Sequence, residues 1–519
     1  MKSIVALVAA AGFSIVAASA QPVETGQSNE KTQEESRIDD GLTLLIMGHT
    51  QDALDALKLA IADTTFDQLP AVRRHFVYTL LAEAAFDAGD NDTAAFAVRR
   101  ACTFSMASDS DWGLYFHIAL RRRDIDGAAT SLTVIAEKYP ARLSKIWDVT
   151  VLGIANEIHG LPDGKAREFR LLKALFTAQW RPTRVSPDAA DHYWVKLVLA
   201  DLDAKNFAEA KAVGDTITDP NVLVMMVVDK RFDSVVATSP NHYDIAAAAE
   251  ASLTQAKNRM ADRPDLLEPA DAVATALMRL DRNEEALTVL DTALAKVKPS
   301  QGDTPYIDVA FALPSVTERR GKVLARLGRD DESLREREKA AAIPEFGTAN
   351  VNQALNLADK MNGLGRPQDA LALLQKVPAA QMSPYGQMIY QRNRACAYAL
   401  LKDKENAADA LAYLKSHSAD GPTVPLDALM CMHDLDGAAA EIIARLGDPD
   451  SRLDMLFDLQ NFCGPKPAQG TPDTKPESKS ESTPDTKEDD WTKVSERPDV
   501  QAAIAKVGRV KTFPILLVR

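Results

Sequence analysis

A short phrase recurs along this chain in one register. A turn residue is followed five positions later by a small residue, and seven positions after that by another. Gly48, Ala53 and Ala60 make one copy; Gly89, Ala94 and Ala101 a second; Asp281, Ala286 and Ala293 a third. Weaker copies are Gly328, Ser333 and Ala340, then Gly365, Ala370 and Val377. Seven residues is two helical turns, so the two small residues of a copy lie on one face of one helix, where a partner helix approaches closely. A helix pair that cannot bury its own face must stack on further pairs, which predicts an all-α helical-repeat solenoid. The competing reading is a helical bundle without repeats.

Other positions fit the same unit. Gly41 takes a small slot on the first helix of the first unit, and Ala82 that of the second. Residues 270–294 carry Ala274, Leu277, Ala286, Leu290 and Ala293; residues 354–378 carry Ala358, Leu364, Gly365, Ala370 and Leu374. Gly321 serves the unit at 317–342, Trp194 and Leu197 one closed by Ala210, and Ala395 and Tyr398 one reaching Ala407. These units resemble the tetratricopeptide repeat (TPR) family. The resemblance implies an α-α superhelix whose concave groove, lined by first helices, holds a peptide or a partner segment. Repeat packing then falls to Ala53, Ala60, Ala94, Ala101, Ala286, Ala293 and Ala370. Residues 112–140 fit only after a one-residue shift, with Ala129 and Ala136 in the small slots. Residues 144–185 and 222–262 are helical but hardly recognisable as repeats, and the apolar run 222–238 is expected to be the most buried.

The ends read differently. Residues 1–20 begin with Lys2, continue through an apolar run from Ile4 to Val16 and end in Ala18, Ser19 and Ala20 before Gln21. That is the pattern of a secretory signal peptide with a small-x-small cleavage site, and the run is short for a membrane anchor. No cysteine adjoins the site, which excludes a lipid anchor there. Residues 21–33 are a polar, disordered lead-in, 34–463 the solenoid, and 464–490 a Pro/Thr/Ser/Lys/Glu-rich disordered linker in which Thr-Pro-Asp-Thr-Lys occurs twice. Residues 491–519 form a short terminal segment. Trp491, Val494, Val500, Ile504 and Val507 recur at helical spacing, and 513–518 is apolar and β-prone. Left exposed, it would invite aggregation, so it docks on the chain's own solenoid or on another protein.

The chain carries 60 basic and 74 acidic side chains, a net charge of −14 that becomes −15 once Lys2 is removed with residues 1–20. This disfavours nucleic acid and anionic lipid as partners. Candidate chemistry is sparse. Gly160 to Ala166 has the outline of a phosphate loop, but its glycine spacing is one short and Ala166 stands where a metal-binding hydroxyl belongs. His433, Asp434 and Asp436 gather at an interhelical turn, and residues 108–111 read as a helix cap rather than a calcium loop. Arg121, Arg122 and Arg123 suit a helix C-terminus. No catalytic residue, cofactor or metal ligand is nominated. Of four cysteines, Cys102 reads as a buried thiol. Cys431 and Cys463 are the disulfide candidates that would staple the end of the solenoid, with Cys396–Cys431 and no bridge at all as alternatives.

These features lead to the expectation of a non-catalytic protein or peptide scaffold in an exported compartment, the bacterial periplasm first and the extracellular space second. The alternatives are a helical-platform cell-wall enzyme without a recognisable catalytic motif and a structural part of an envelope assembly or secretion complex.

Overall fold

A computed structural model describes residues 33–297, 304–344, 348–464 and 486–518. Residues 1–32, read above as a signal peptide and lead-in, and residues 465–485 of the span read as a linker lie outside the described residues. The chain divides into two compact units between Arg181 and Pro182.

The first unit is built from consecutive helix pairs: Gln33–Met47 with Thr50–Ile61, Ala71–Ala88 with Asn91–Ala101, and Asp109–Arg122 with Ile125–Lys138, followed by Asp148–Glu157 and Gly164–Thr177. The second opens with Asp191–Asp203 and Phe207–Gly214, passes through Pro220–Val228, Asp233–Val236 and Ile245–Asp262, and then repeats the pair regularly. Its pairs are Glu268–Arg279 with Asn283–Leu294, Val309–Arg326 with Asp330–Ala342, Val351–Gly363 with Pro367–Leu374, Pro384–Leu400 with Lys404–Ser416, and Val424–Cys431 with Leu435–Gly447. Among the later pairs, the first helix Glu268–Arg279 also packs on Val309–Arg326, Val351–Gly363 on Pro384–Leu400, and Pro384–Leu400 on Val424–Cys431. Asn393 shows how two of them are tied together. Its amide donates to the Leu355 carbonyl at 2.8 Å, and the Asn362 amide donates to the Asn393 carbonyl at 2.9 Å, all buried.

The recurring phrase has a backbone cause. Its turn residues Gly48, Gly89, Asp281, Gly328 and Gly365 all adopt positive φ, between 58° and 81°. A left-handed residue ends the first helix and turns the chain into the second. Arg123, Lys205, Lys402 and His433 do the same, with φ from 56° to 62°. After Asp90, Asp124, Asp403 and Asp434 the cap is explicit: each carboxylate follows the left-handed residue and accepts from the N–H three residues on. The small residue five positions after the turn is buried in all nine pairs: Ala53, Ala94, Ala128, Ala210, Ala286, Ser333, Ala370, Ala407 and Ala438. This shared hairpin makes the pairs TPR-like.

Two sequence expectations change here. Residues 112–140 need no shift: Arg123 is the turn residue, so Ala128 and Ile135 take the slots, although Ala129 and Ala136 are buried beside them. The solenoid's helices stop short of residue 463, the end expected from the sequence: the last is Arg452–Asp458, and Asn461 and Phe462 instead pair as a parallel strand with Thr512 and Phe513.

Small residues at the crossings have steric reasons. A Cβ on Gly41 would stand 2.8 Å from the Leu57 side chain. One on Gly321 would meet the Arg337 stem at 2.9 Å and the Ser333 carbonyl at 3.2 Å. Ala60, Ala101, Ala286 and Ala293 are likewise buried at helix faces. The Pro220–Val228 helix is apolar all round, with residues 222–228 all buried.

Candidate functional site

The second unit closes on itself. Pro220–Val228 packs directly against Arg452–Asp458, more than two hundred residues later. The helix Thr486–Ser495, which begins inside the span read as linker, packs with Pro498–Val507 against Leu435–Gly447. Val494, Val500 and Ile504 are its buried anchors. Asp490 pairs with His433 and Lys493, and Arg497 with Asp436 at 2.6 Å. The turn cluster at 433–436 therefore receives the terminal segment.

From Gly508 onward the chain is extended and held through its main chain. The Arg509 N–H donates to the Val228 carbonyl at 3.0 Å and the Leu516 N–H to the Arg279 carbonyl at 2.7 Å. On the other side the N–H groups of Asn461 and Cys463 donate to the carbonyls of Lys511 and Phe513, each at 3.1 Å. Gln460 spans both directions: its side-chain oxygen accepts from the Lys511 N–H at 2.8 Å and its amide donates to the Arg509 carbonyl at 3.2 Å. Arg509 adds a two-oxygen ion pair to Asp233, both contacts 2.7 Å. Phe513 and Ile515 are buried. Gly508 is required by close approach. A Cβ there would lie 2.6 Å from Leu456 and 2.7 Å from the Val228 carbonyl oxygen.

Next to this seat is a cavity of about 1040 Å³, walled by first helices, by Leu435–Gly447 and Arg452–Asp458, and by Trp491 and Leu517 of the terminal segment. Its lining is heavily charged, and most of the charges are matched. Arg337 reaches Glu318 at 2.8 Å across the notch left by Gly321. Burial pushes the Glu318 carboxyl up, while Arg337 and Lys322 draw it down. Arg392 contacts Asp359 at 3.1 Å and Asp427 at 3.7 Å. Arg326 donates to the Met278 carbonyl at 2.7 Å and the Leu517 carbonyl at 2.5 Å. Lys322, on the same wall, is pushed below the usual lysine range by burial and by Arg319.

Cys431, on that wall, is bonded to Cys396, not to Cys463. The two partners sit on adjacent first helices with Cα atoms 5.0 Å apart. Cys463 is drawn away by the strand pairing and remains a free, exposed thiol. Sequence spacing carried no sign of this, because connectivity depends on which helices become neighbours.

The other motifs are structural. Residues 108–111 form a capping box, and Asp111 additionally accepts from Thr79 at 2.8 Å and contacts His75 at 3.2 Å. Arg121 stacks 3.7 Å over the Phe86 ring, and Arg122 pairs with Asp92. Gly164 starts a helix in a turn so tight that a Cβ would meet the His159 carbonyl at 2.3 Å. Among the described residues no helix is long and apolar enough to cross a membrane.

No family model and no curated protein matches the chain. Among solved structures it is similar to the TPR domain of P58(IPK), at 14% identity and a TM-score of 0.21, over 78% of this chain and 99% of that one. It is also similar to the APC/C hetero-tetramer Cut9–Hcn1, at 14% identity and a TM-score of 0.28, over 82% and 87%. A third is the Rap protein complexed with competence and sporulation factor, at 10% identity and a TM-score of 0.28, over 82% and 95%.

Proposed function

We propose that this chain is a non-catalytic interaction scaffold of an exported compartment, the bacterial periplasm, and that its second unit receives an extended protein segment. The observation that carries the reading is the seat of residues 508–516. Main-chain bonds to Val228, Arg279 and 461–463 hold an extended strand with little dependence on its side chains. A partner segment able to form the same bonds would compete for that seat, with the terminal segment as its resident occupant. Export is supported by the leader pattern of residues 1–20 and by the Cys396–Cys431 bridge, which an oxidising compartment permits.

The test uses the full chain and a variant ending at Gly464, both immobilised and exposed to an envelope extract. Proteins retained by the truncated form, and released by a synthetic peptide of residues 498–518, are the expected result. Equal retention by both forms, with no effect of the peptide, refutes the reading. Release of peptidoglycan fragments by either form would replace it with the cell-wall enzyme.

A further inference from the structure

The bonds that Val228, Arg279, Gln460 and 461–463 make to the terminal strand go to main-chain groups and would accept almost any extended segment. Four side-chain positions of the resident strand narrow that choice. At Gly508 a Cβ would stand 2.7 Å from the Val228 carbonyl oxygen, which is backbone and is held by the Arg509 N–H, so glycine fits and a larger residue must displace that bond. At Arg509 one guanidinium nitrogen meets both Asp233 carboxylate oxygens at 2.7 Å, and another donates to the Val227 carbonyl at 3.3 Å. A forked guanidinium serves the two acceptors at once, which a lysine ammonium does less well. Phe513 is buried at the end of an aromatic row: its ring centroid is 6.0 Å from that of Phe462, which is 5.3 Å from that of Phe457. Ile515 is buried completely. Between these positions Val510, Lys511 and Thr512 are exposed. Lys511 is held through its main chain, its N–H donating to Gln460 and its carbonyl accepting from Asn461.

We infer, resting on the reading that this seat receives partner proteins, that the partner it fits carries an extended segment of the form Gly-Arg-x-x-x-Phe-x-Ile. The fourth position and the residue after the isoleucine must keep an N–H for Gln460 and for the Arg279 carbonyl, which bars proline from both. The resident proline, Pro514, falls at the seventh position, outside both. The glycine and the phenylalanine fix the register. A slip of one residue would set the arginine's Cβ against the Val228 carbonyl and turn the phenylalanine from Phe462 to the opposite face. The arginine adds a preference of charge, and a smaller one, because its pair with Asp233 is partly exposed.

The test is peptide competition on the full chain, cleaved at a protease site inserted between residues 465 and 485. A fluorescein-labelled 498–518 peptide is supplied in excess over the resident fragment, and unlabelled variants of that peptide compete with it, read by fluorescence anisotropy. Because these substitutions lie in the peptide, none can unfold the protein. Gly508→Ala, Phe513→Ala and Ile515→Asn should each compete roughly tenfold or more weakly than the unmodified peptide. Arg509→Glu should compete poorly and recover in part on a chain carrying Asp233→Arg, where the two charges are exchanged. Lys511→Gln should match the unmodified peptide within about twofold, whereas Lys511→Pro, at the same exposed position, should compete roughly fivefold or more weakly because the N–H to Gln460 is gone. If the labelled peptide does not bind, the open seat is refuted and the sequence pattern with it. If it binds and all variants compete equally, the seat reads main chain alone: the pattern is overturned while the scaffold reading stands.

Discussion

Gly508→Ala is the sharpest probe of the terminal segment's seat. The backbone at Gly508 is extended (φ −157°), so alanine suffers no conformational strain and the effect is purely steric. The new methyl would stand 2.6 Å from Leu456 Cδ2 and 2.7 Å from the Val228 carbonyl oxygen. The leucine can rotate away. The carbonyl cannot, because it accepts the Arg509 N–H and lies beside the bridge between Asp229 and Gly508. Overpacking of this kind costs about 1–3 kcal/mol, and losing the Arg509 bond adds roughly 1 kcal/mol. Reduced freedom of the undocked chain returns about 0.4–1 kcal/mol. The net destabilisation is about 1–3 kcal/mol, and since 1.4 kcal/mol is a factor of ten, the segment should open roughly ten- to hundredfold more often. Amide hydrogen exchange reads this directly. Protection at Arg509 and Leu516 should fall by that factor while amides of the Ala71–Ala88 helix, in the first unit, keep theirs. Unchanged protection at Arg509 and Leu516 would refute the close approach and the docking argued from it.

Ala286→Leu should overfill a buried crossing and cost about 1–3 kcal/mol in thermal melts, whereas the exposed control Glu284→Leu should cost little; equal melting of both would contradict the register. Replacing Cys396 and Cys431 together by serine opens a loop spanning 35 residues and should destabilise the second unit by up to about 4 kcal/mol, with Cys463→Ser near neutral; denaturant titration separates the two. In the first unit, burial raises the Asp111 carboxyl, but bonds from His75, Ser108 and Thr79 outweigh it and hold it at about 2. The folded value lies below the unfolded one of about 3.9, so the stability it contributes is full above that value and is lost as pH falls toward 2, about 2 kcal/mol in all. The difference in stability between wild type and Asp111→Asn should shrink across that window in acid melts, and a constant difference would contradict the assignment.

The repeat was legible wherever glycine announced a left-handed turn. Gly48, Gly89, Gly328 and Gly365 mark the hairpins, and the small residue five positions later (Ala53, Ala94, Ser333 and Ala370) fixes the face. Where Arg123, Lys205, Lys402 or His433 adopts the same conformation, the sequence carries no such signal, since charged residues seldom do so. That is why Ala129 and Ala136 were placed one residue out of register. The seat of the terminal segment was illegible for another reason. Its partners, Val228, Arg279 and Gln460, are brought together only by closure of the second unit.

The most direct test of the central claim, that the second unit holds an extended segment without covalent help, is a protease site inserted between residues 465 and 485. After cleavage the protein is passed over a size-exclusion column at micromolar concentration. The account predicts that residues 486–519 co-elute with the rest of the chain and are displaced by an excess of synthetic 498–518 peptide. Separation of the fragment on the column, without competitor, would contradict it.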